Sequence, residues 1–101
     1  MKIIPLHEPQ LNKSEIRNLQ ACIKSGWISS SGKFLNEFEQ KIKKFTRSKA
    51  ITLTNSGTSA LHIALKASGL EKDEEVLVPT ITFIATINAI IYNKAAPVFL
   101  D

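Results

Sequence analysis

The stretch with the clearest chemical character is Leu53–Leu61, LTNSGTSAL, where an apolar, β-branched run gives way to small polar residues, a glycine and a helical pattern. A helix N-terminus presents unpaired N–H groups and the positive end of the helix dipole, so it suits a phosphate. Gly57 allows close approach of the backbone to an anion, and Thr58 and Ser59 add hydroxyl donors. The same residue types also make an ordinary helix cap, because Ser, Thr and Asn are preferred there whether or not anything binds. The segment is neither a P-loop nor a GxGxxG dinucleotide fingerprint, since the required glycines and the P-loop lysine are absent.

A second candidate is Pro79–Thr86, PTITFIAT, again just past an apolar strand pattern. In an open α/β sheet ligands gather outside the carboxyl ends of the strands, so the two loops can face one pocket, with Phe83 offering a flat ring. Taken alone, the residues favour a different place for Phe83, in the core of an apolar helix. His62 lies inside a helical stretch and fits packing or solvent contact better than ligation; His7 is isolated. No paired carboxylates, histidine cluster or nucleophile triad has convincing spacing, so no metal site is expected. The acidic run Glu71, Asp73, Glu74 and Glu75 reads as a solvated loop.

The elements that must position these residues follow from periodicity. Asn12 and Glu15 have capping-box spacing, Ile16, Leu19 and Ile23 recur at helical spacing, and Gly26 suits the stop, giving a helix over 13–25. GWISSSG, 26–32, is a loop. Phe34, Phe38, Ile42 and Phe45 place an apolar stripe on a second helix over 33–46, opposite Glu37, Gln40, Lys41 and Lys44. From residue 50 the order becomes strand (Ala50–Thr54), turn and helix to Gly69, strand (Val76–Val78), an apolar helix over 82–92, and strand (Val98–Leu100). Crossovers long enough to carry helices imply parallel strands, and continuous apolar runs such as VLV and VFL imply strands buried on both faces. The expected class is therefore α/β: an N-terminal helical segment, 1–49, then a βαβαβ unit, 50–101, that opens a larger, incomplete parallel sheet.

Composition bounds the function. The 101 residues are 44% hydrophobic and 22% charged, as in ordinary globular domains, and no apolar run reaches transmembrane length. The N-terminus lacks an apolar signal-peptide core, and Cys22 stands alone, which excludes an internal disulfide; a cytoplasmic setting is expected. Residues 1–49 carry 10 Lys/Arg against 4 Asp/Glu, with Lys41, Lys43, Lys44, Arg47 and Lys49 close together. That density raises a nucleic-acid-binding module as one reading. Interleaving with core positions, and only Phe45 among the lysines, favours a solvated helix face.

The ordered set IPLHEP, GWISSSGKFLNEFE, NSGTSALHIAL, VLVPTITFIATINAI and PVFLD, from Pro5 to Asp101, resembles the N-terminal part of DegT/DnrJ/StrS-type sugar aminotransferases. These are pyridoxal-phosphate (PLP) enzymes of the aspartate-aminotransferase-like fold, fold type I. The GWISSSGKF form resembles members that make the 4-amino group of legionaminic-acid-type sugars. The resemblance implies that the segment matching Ser56–Ser59 holds the cofactor phosphate, with Gly57, Thr58 and Ser59 as contacts. It also implies that Phe83 stacks on the pyridine ring, reversing the core reading. Trp27, Ser29 and Ser30 become substrate-side candidates near a sugar-nucleotide pocket and a dimer partner.

The implied activity is transfer of an amino group from an amino-acid donor, glutamate by expectation, to a keto group on a nucleotide-linked sugar. Such enzymes act in amino-sugar and surface-polysaccharide biosynthesis, as homodimers, with no membrane role. The family's Schiff-base lysine and the Asp that pairs with the pyridinium nitrogen match no residue here, so no catalytic residue is assigned and the 101 residues alone are expected to be inactive. A non-catalytic remnant, or one half of a split protein, is the alternative.

Overall fold

The computed structural model describes residues 3–5 and 7–101; Leu6 of the IPLHEP segment lies outside the described residues. The elements are α1 (Lys13–Ser25), α2 (Lys33–Thr46), α3 (Gly57–Ala67), β1 (Glu75–Pro79), α4 (Ile84–Tyr92) and β2 (Ala96–Leu100). They form two compact units, Met1–Ser48 and Lys49–Asp101.

The first unit is the α1–α2 pair, with the bounds that periodicity gives. At the start of α1 the Glu15 carboxylate accepts from the Asn12 N–H at 2.6 Å, so a donor that the helix cannot satisfy internally finds a charged acceptor. Gly26 ends α1 at φ 71°, a left-handed conformation that glycine adopts without steric cost, and its N–H donates to the Ile23 carbonyl. Gly32 starts α2 at φ 147°, and a side chain there would also meet the Trp27 ring at 3.6 Å. Leu35 and Ile42 are half-buried, whereas Phe45 is 87% exposed and lies outside the covered stripe.

The second unit holds the sheet. β1 and β2 pair in parallel, from Glu75 opposite Ala96 to Pro79 opposite Leu100, and α4 is the crossover between them. Val78, Ile90 and Ala95 are buried, with Leu65, Leu70, Val76 and Ile87 packed around them, so α4 lies on the sheet and α3 packs on α4 around one apolar cluster. Asn93, at the end of α4, donates to the Ala89 carbonyl at 2.8 Å and to the His62 carbonyl on α3 at 3.2 Å. His62 also lies against Tyr92, ring centroids 5.7 Å apart, which is the packing role expected of it.

Three expectations are corrected. Ala50–Thr54 is not a strand, and the sheet has two strands rather than three: a βαβ unit, not βαβαβ. β-Branched residues favour an extended chain, but a strand exists only with a ladder partner, and neither β1 nor β2 supplies one. Nor are the strands buried on both faces. Side chains alternate along a strand, so Val78 faces the helices while Leu77 points away and stays 66% exposed. The apolar helix also begins later than its sequence pattern, at Ile84, with Phe83 as its N-cap. Among the described residues no helix is long and apolar enough to cross a membrane.

This packing sets a contrast between neighbours on α4. Ile90 is 1% exposed and Ile91 is 52% exposed. Ile90→Ala is expected to destabilise the protein by about 2–5 kcal/mol, whereas Ile91→Ala costs under about 1 kcal/mol, as read from denaturant midpoints. Equal effects of the two would show that the core is centred elsewhere. At α1, the Glu15 N–H and then the Asn12 N–H hold the Glu15 carboxyl below its ordinary value of 4.5. A depressed carboxyl stabilises the fold above its unfolded-state value and loses that contribution as pH falls through the folded value. The Glu15 carboxyl resonance should therefore titrate below 4.5; a midpoint at or above it would mean that the cap is not formed in solution.

Candidate functional site

The turn from Thr54 to Ala60 is built by competition for the donors at the start of α3. Ser56 is the N-cap, with extended backbone, and its Oγ accepts from the Ser59 N–H at 3.2 Å. The Ser56 hydroxyl donates to Ser59 Oγ at 3.0 Å. The Thr54 hydroxyl donates to the Ser56 carbonyl at 2.9 Å, and the Ala60 N–H reaches the same carbonyl at 3.0 Å. Thr54 thereby braces the cap, a role that the sequence reading missed although its hydroxyl stands two residues before the cap.

The cap accounts for one of the first N–H groups, that of Ser59. Gly57 and Thr58 are the first two residues of α3, and no carbonyl one turn back within the helix exists to accept from them. Gly57 is exposed and Thr58 is half-buried. A side chain at Gly57 would meet nothing within 4 Å, and its φ is not in the left-handed region, so neither crowding nor backbone conformation requires glycine there. The first turn holds no Asp or Glu, which leaves the dipole's positive end unopposed. Two free N–H groups, a clear approach and no competing carboxylate fit a phosphate. Capping and anion binding are compatible here, because they use different donors.

Phe83 is 85% exposed in this chain, at the N-cap of α4 rather than within the helix. Extended backbone at the N-cap of α4 turns it off the helix and into the connection from β1. Its carbonyl accepts from the Thr86 N–H at 3.0 Å, and Thr82 and Thr86 hydroxyls lie 2.9 Å apart. Ile81, Thr82 and Phe83 line a recess with mainly apolar walls. Among the described residues no hydrogen bond or ring contact joins Phe83 to the Ser56–Ser59 turn. At the carboxyl ends of both strands, the Thr80 hydroxyl donates to Asp101 Oδ1 at 2.9 Å, a pair 21 residues apart that periodicity does not show.

Trp27, Ser29 and Ser30 belong to the first unit, in the link between α1 and α2, and all are exposed, Trp27 by 61%. Trp27 lines a recess with Ala21, Ser25, Lys33 and Phe34. Lys41, Lys43, Lys44, Arg47 and Lys49 are all exposed, as expected of a solvated face. Among the described residues no three His, Cys, Asp or Glu side chains gather as a metal site would need.

Known proteins resemble this chain over nearly its whole length. It is 42% identical over 99 residues to GDP-perosamine synthase of Vibrio cholerae, covering 98% of the chain and 27% of the relative. The GDP-perosamine synthase of Escherichia coli O157:H7 is 43% identical across the full chain, which covers 28% of it. Among solved structures, the candidate sugar aminotransferase Spr1654 of Streptococcus pneumoniae, in its PLP form, superposes with a TM-score of 0.87 at 31% identity. That match covers 97% of this chain and 25% of Spr1654. A GDP-4-keto-6-deoxy-D-mannose-3-dehydratase of E. coli shares the fold, with a TM-score of 0.85 at 21% identity. The chain thus spans about a quarter of the length of the relatives it matches. The profile of the DegT/DnrJ/EryC1/StrS aminotransferases matches residues 9–101, and the chain belongs to that family.

Proposed function

We propose that this chain supplies the phosphate-holding part of a PLP site in an enzyme that transaminates a nucleotide-linked keto-sugar. The observation that carries the reading is the open first turn of α3, where Gly57 and Thr58 leave two N–H groups unclaimed beside a glycine that the fold itself does not require. Relatives that make a GDP-linked amino sugar, and a fold neighbour solved in its PLP form, support the choice of ligand. PLP, when bound, supplies an electron sink and carries the amino group between two substrates.

In this reading the Gly57 and Thr58 N–H groups and the Thr58 and Ser59 hydroxyls bind the phosphate, and Ser56 keeps the turn rigid. Phe83 offers its exposed ring to the pyridine. Trp27, Ser29 and Ser30 lie on the sugar-nucleotide side. Glutamate is the proposed amino donor, a homodimer the proposed assembly and the cytoplasm the proposed location. The GWISSSGKF loop suggests a legionaminic-acid-type sugar, whereas the two synthases above are named for GDP-perosamine; turnover of a GDP-linked against a differently linked keto-sugar by the intact protein decides between them. The sequence likeness to the synthases, at 42–43%, favours transamination over the dehydration named for the fold neighbour.

Three variants of the intact protein test the site. Gly57→Val places a branched side chain where the phosphate would sit and should weaken PLP binding by more than about tenfold, since each charge-assisted hydrogen bond is worth roughly 1.5–3 kcal/mol. Its thermal midpoint without PLP should stay close to wild type. Ser56→Ala removes the cap and should cost about 0.5–2 kcal/mol of stability, with a smaller effect on affinity. Phe83→Ala should weaken PLP binding about twofold to tenfold with little loss of stability, because a stacked ring contributes about 0.5–1.5 kcal/mol beyond buried area. PLP titration beside thermal midpoints reads all three. Unchanged affinity in Gly57→Val would end the phosphate assignment.

A further inference from the structure

The connection from β1 to α4 is short, exposed and held by polar ties rather than packing. Ile81 is 94% exposed and Phe83 85% exposed, so burial fixes neither. Pro79, the last residue of β1, has no N–H to give, and the strand pairing passes to the Thr80 N–H, which donates to the Leu100 carbonyl at 3.1 Å. One residue on, the Thr80 hydroxyl donates to Asp101 Oδ1 at 2.9 Å. At the other end of the connection, Thr82 and Thr86 hydroxyls pair at 2.9 Å and the Thr86 N–H donates to the Phe83 carbonyl at 3.0 Å. Three residues, Ile81 to Phe83, are thus strung between two anchors.

We infer that Thr80 and Asp101 form a latch that positions Phe83 for its ligand, and that both are positioning residues of the site. The inference rests on the reading that Phe83 stacks on PLP. The Asp101 side chain offers an oxygen that accepts from the Thr80 hydroxyl, and the tie needs only that acceptor. Asp101 follows β2 and Thr80 follows β1, so the latch ties the connection to the rigid end of the sheet. The Thr82–Thr86 pair then sets how the chain enters α4. With both ends fixed, the ring of Phe83 has a defined place although it is 85% exposed. A ligand that meets an ordered ring avoids part of the entropy of ordering it, which is how a bond outside the site adds to affinity.

The test uses the intact protein, with amide hydrogen exchange of the cofactor-free form and a PLP titration. Thr80→Val keeps the shape and the backbone bond and removes the hydroxyl. It should speed exchange of the Thr80 and Thr86 amides about threefold to tenfold, and weaken PLP binding by a similar factor, as expected for loss of one hydrogen bond. Thr80→Ser should restore both. Asp101→Ala should act like Thr80→Val, and Asp101→Asn, which keeps the acceptor oxygen, should stay near wild type. In a Phe83→Ala background, Thr80→Val should weaken PLP no further. Should Thr80→Val lower overall stability, the contrast between Asp101→Asn and Asp101→Ala carries the same comparison. Unchanged exchange, unchanged affinity in Thr80→Val, or an equal loss in the Phe83→Ala background overturns the latch while leaving PLP at the site. Unchanged affinity in Phe83→Ala itself overturns the stacking reading, and the latch with it.

Discussion

An α-helix cannot satisfy its own first N–H groups, and the proposed site depends on how α3 distributes them. The Ser56 side chain claims the Ser59 donor, and the Ser56 carbonyl takes that of Ala60. With all of the early donors capped the turn would be closed to an anion; with none capped it would fray. That division leaves the Gly57 and Thr58 donors without a partner among the described residues, in a turn that Thr54 and Ser56 hold in place. The proposed site is a backbone property, and side chains serve chiefly to keep the backbone in position.

The rest of the second unit keeps that turn from moving. α3 is pinned by the Asn93 bond to the His62 carbonyl, by the His62–Tyr92 contact and by Leu65 on the buried Ile90. α4 is in turn the crossover between two parallel strands, and Val78 and Ala95 carry its apolar face onto the sheet. The connection that bears Phe83 leaves that sheet at its carboxyl end, where ligands of open α/β sheets gather. Packing and recognition are divided between residue types: aliphatic side chains hold the helices, while glycine, serine and threonine face the places where a ligand would come.

The sequence made some of this legible and hid the rest for physical reasons. α1 and α2 could be bounded to the residue because a 3.6-residue apolar period, the Asn12–Glu15 pair and Gly26 all agree. β1 and β2 were legible as parallel because the intervening segment is long enough for a helix. Ala50–Thr54 misled, since β-propensity reports what a residue tolerates and a ladder needs a partner. Phe83 was placed in the core by composition alone and at the ligand by family resemblance. In this chain it is 85% exposed, because it precedes the first helical turn instead of lying on the helix's buried face. Ser59 was legible as a polar residue of the turn, but not as the one whose N–H the cap consumes. The Thr80–Asp101 bond spans 21 residues, and no local pattern announces it.

The most direct measurement is a crystal structure of the intact protein grown with PLP. The account predicts phosphate oxygens within about 2.7–3.2 Å of the Gly57 and Thr58 backbone nitrogens, with Ser59 N–H still bound to Ser56 Oγ. A phosphate held elsewhere, with the Gly57 and Thr58 donors facing only solvent, would contradict it.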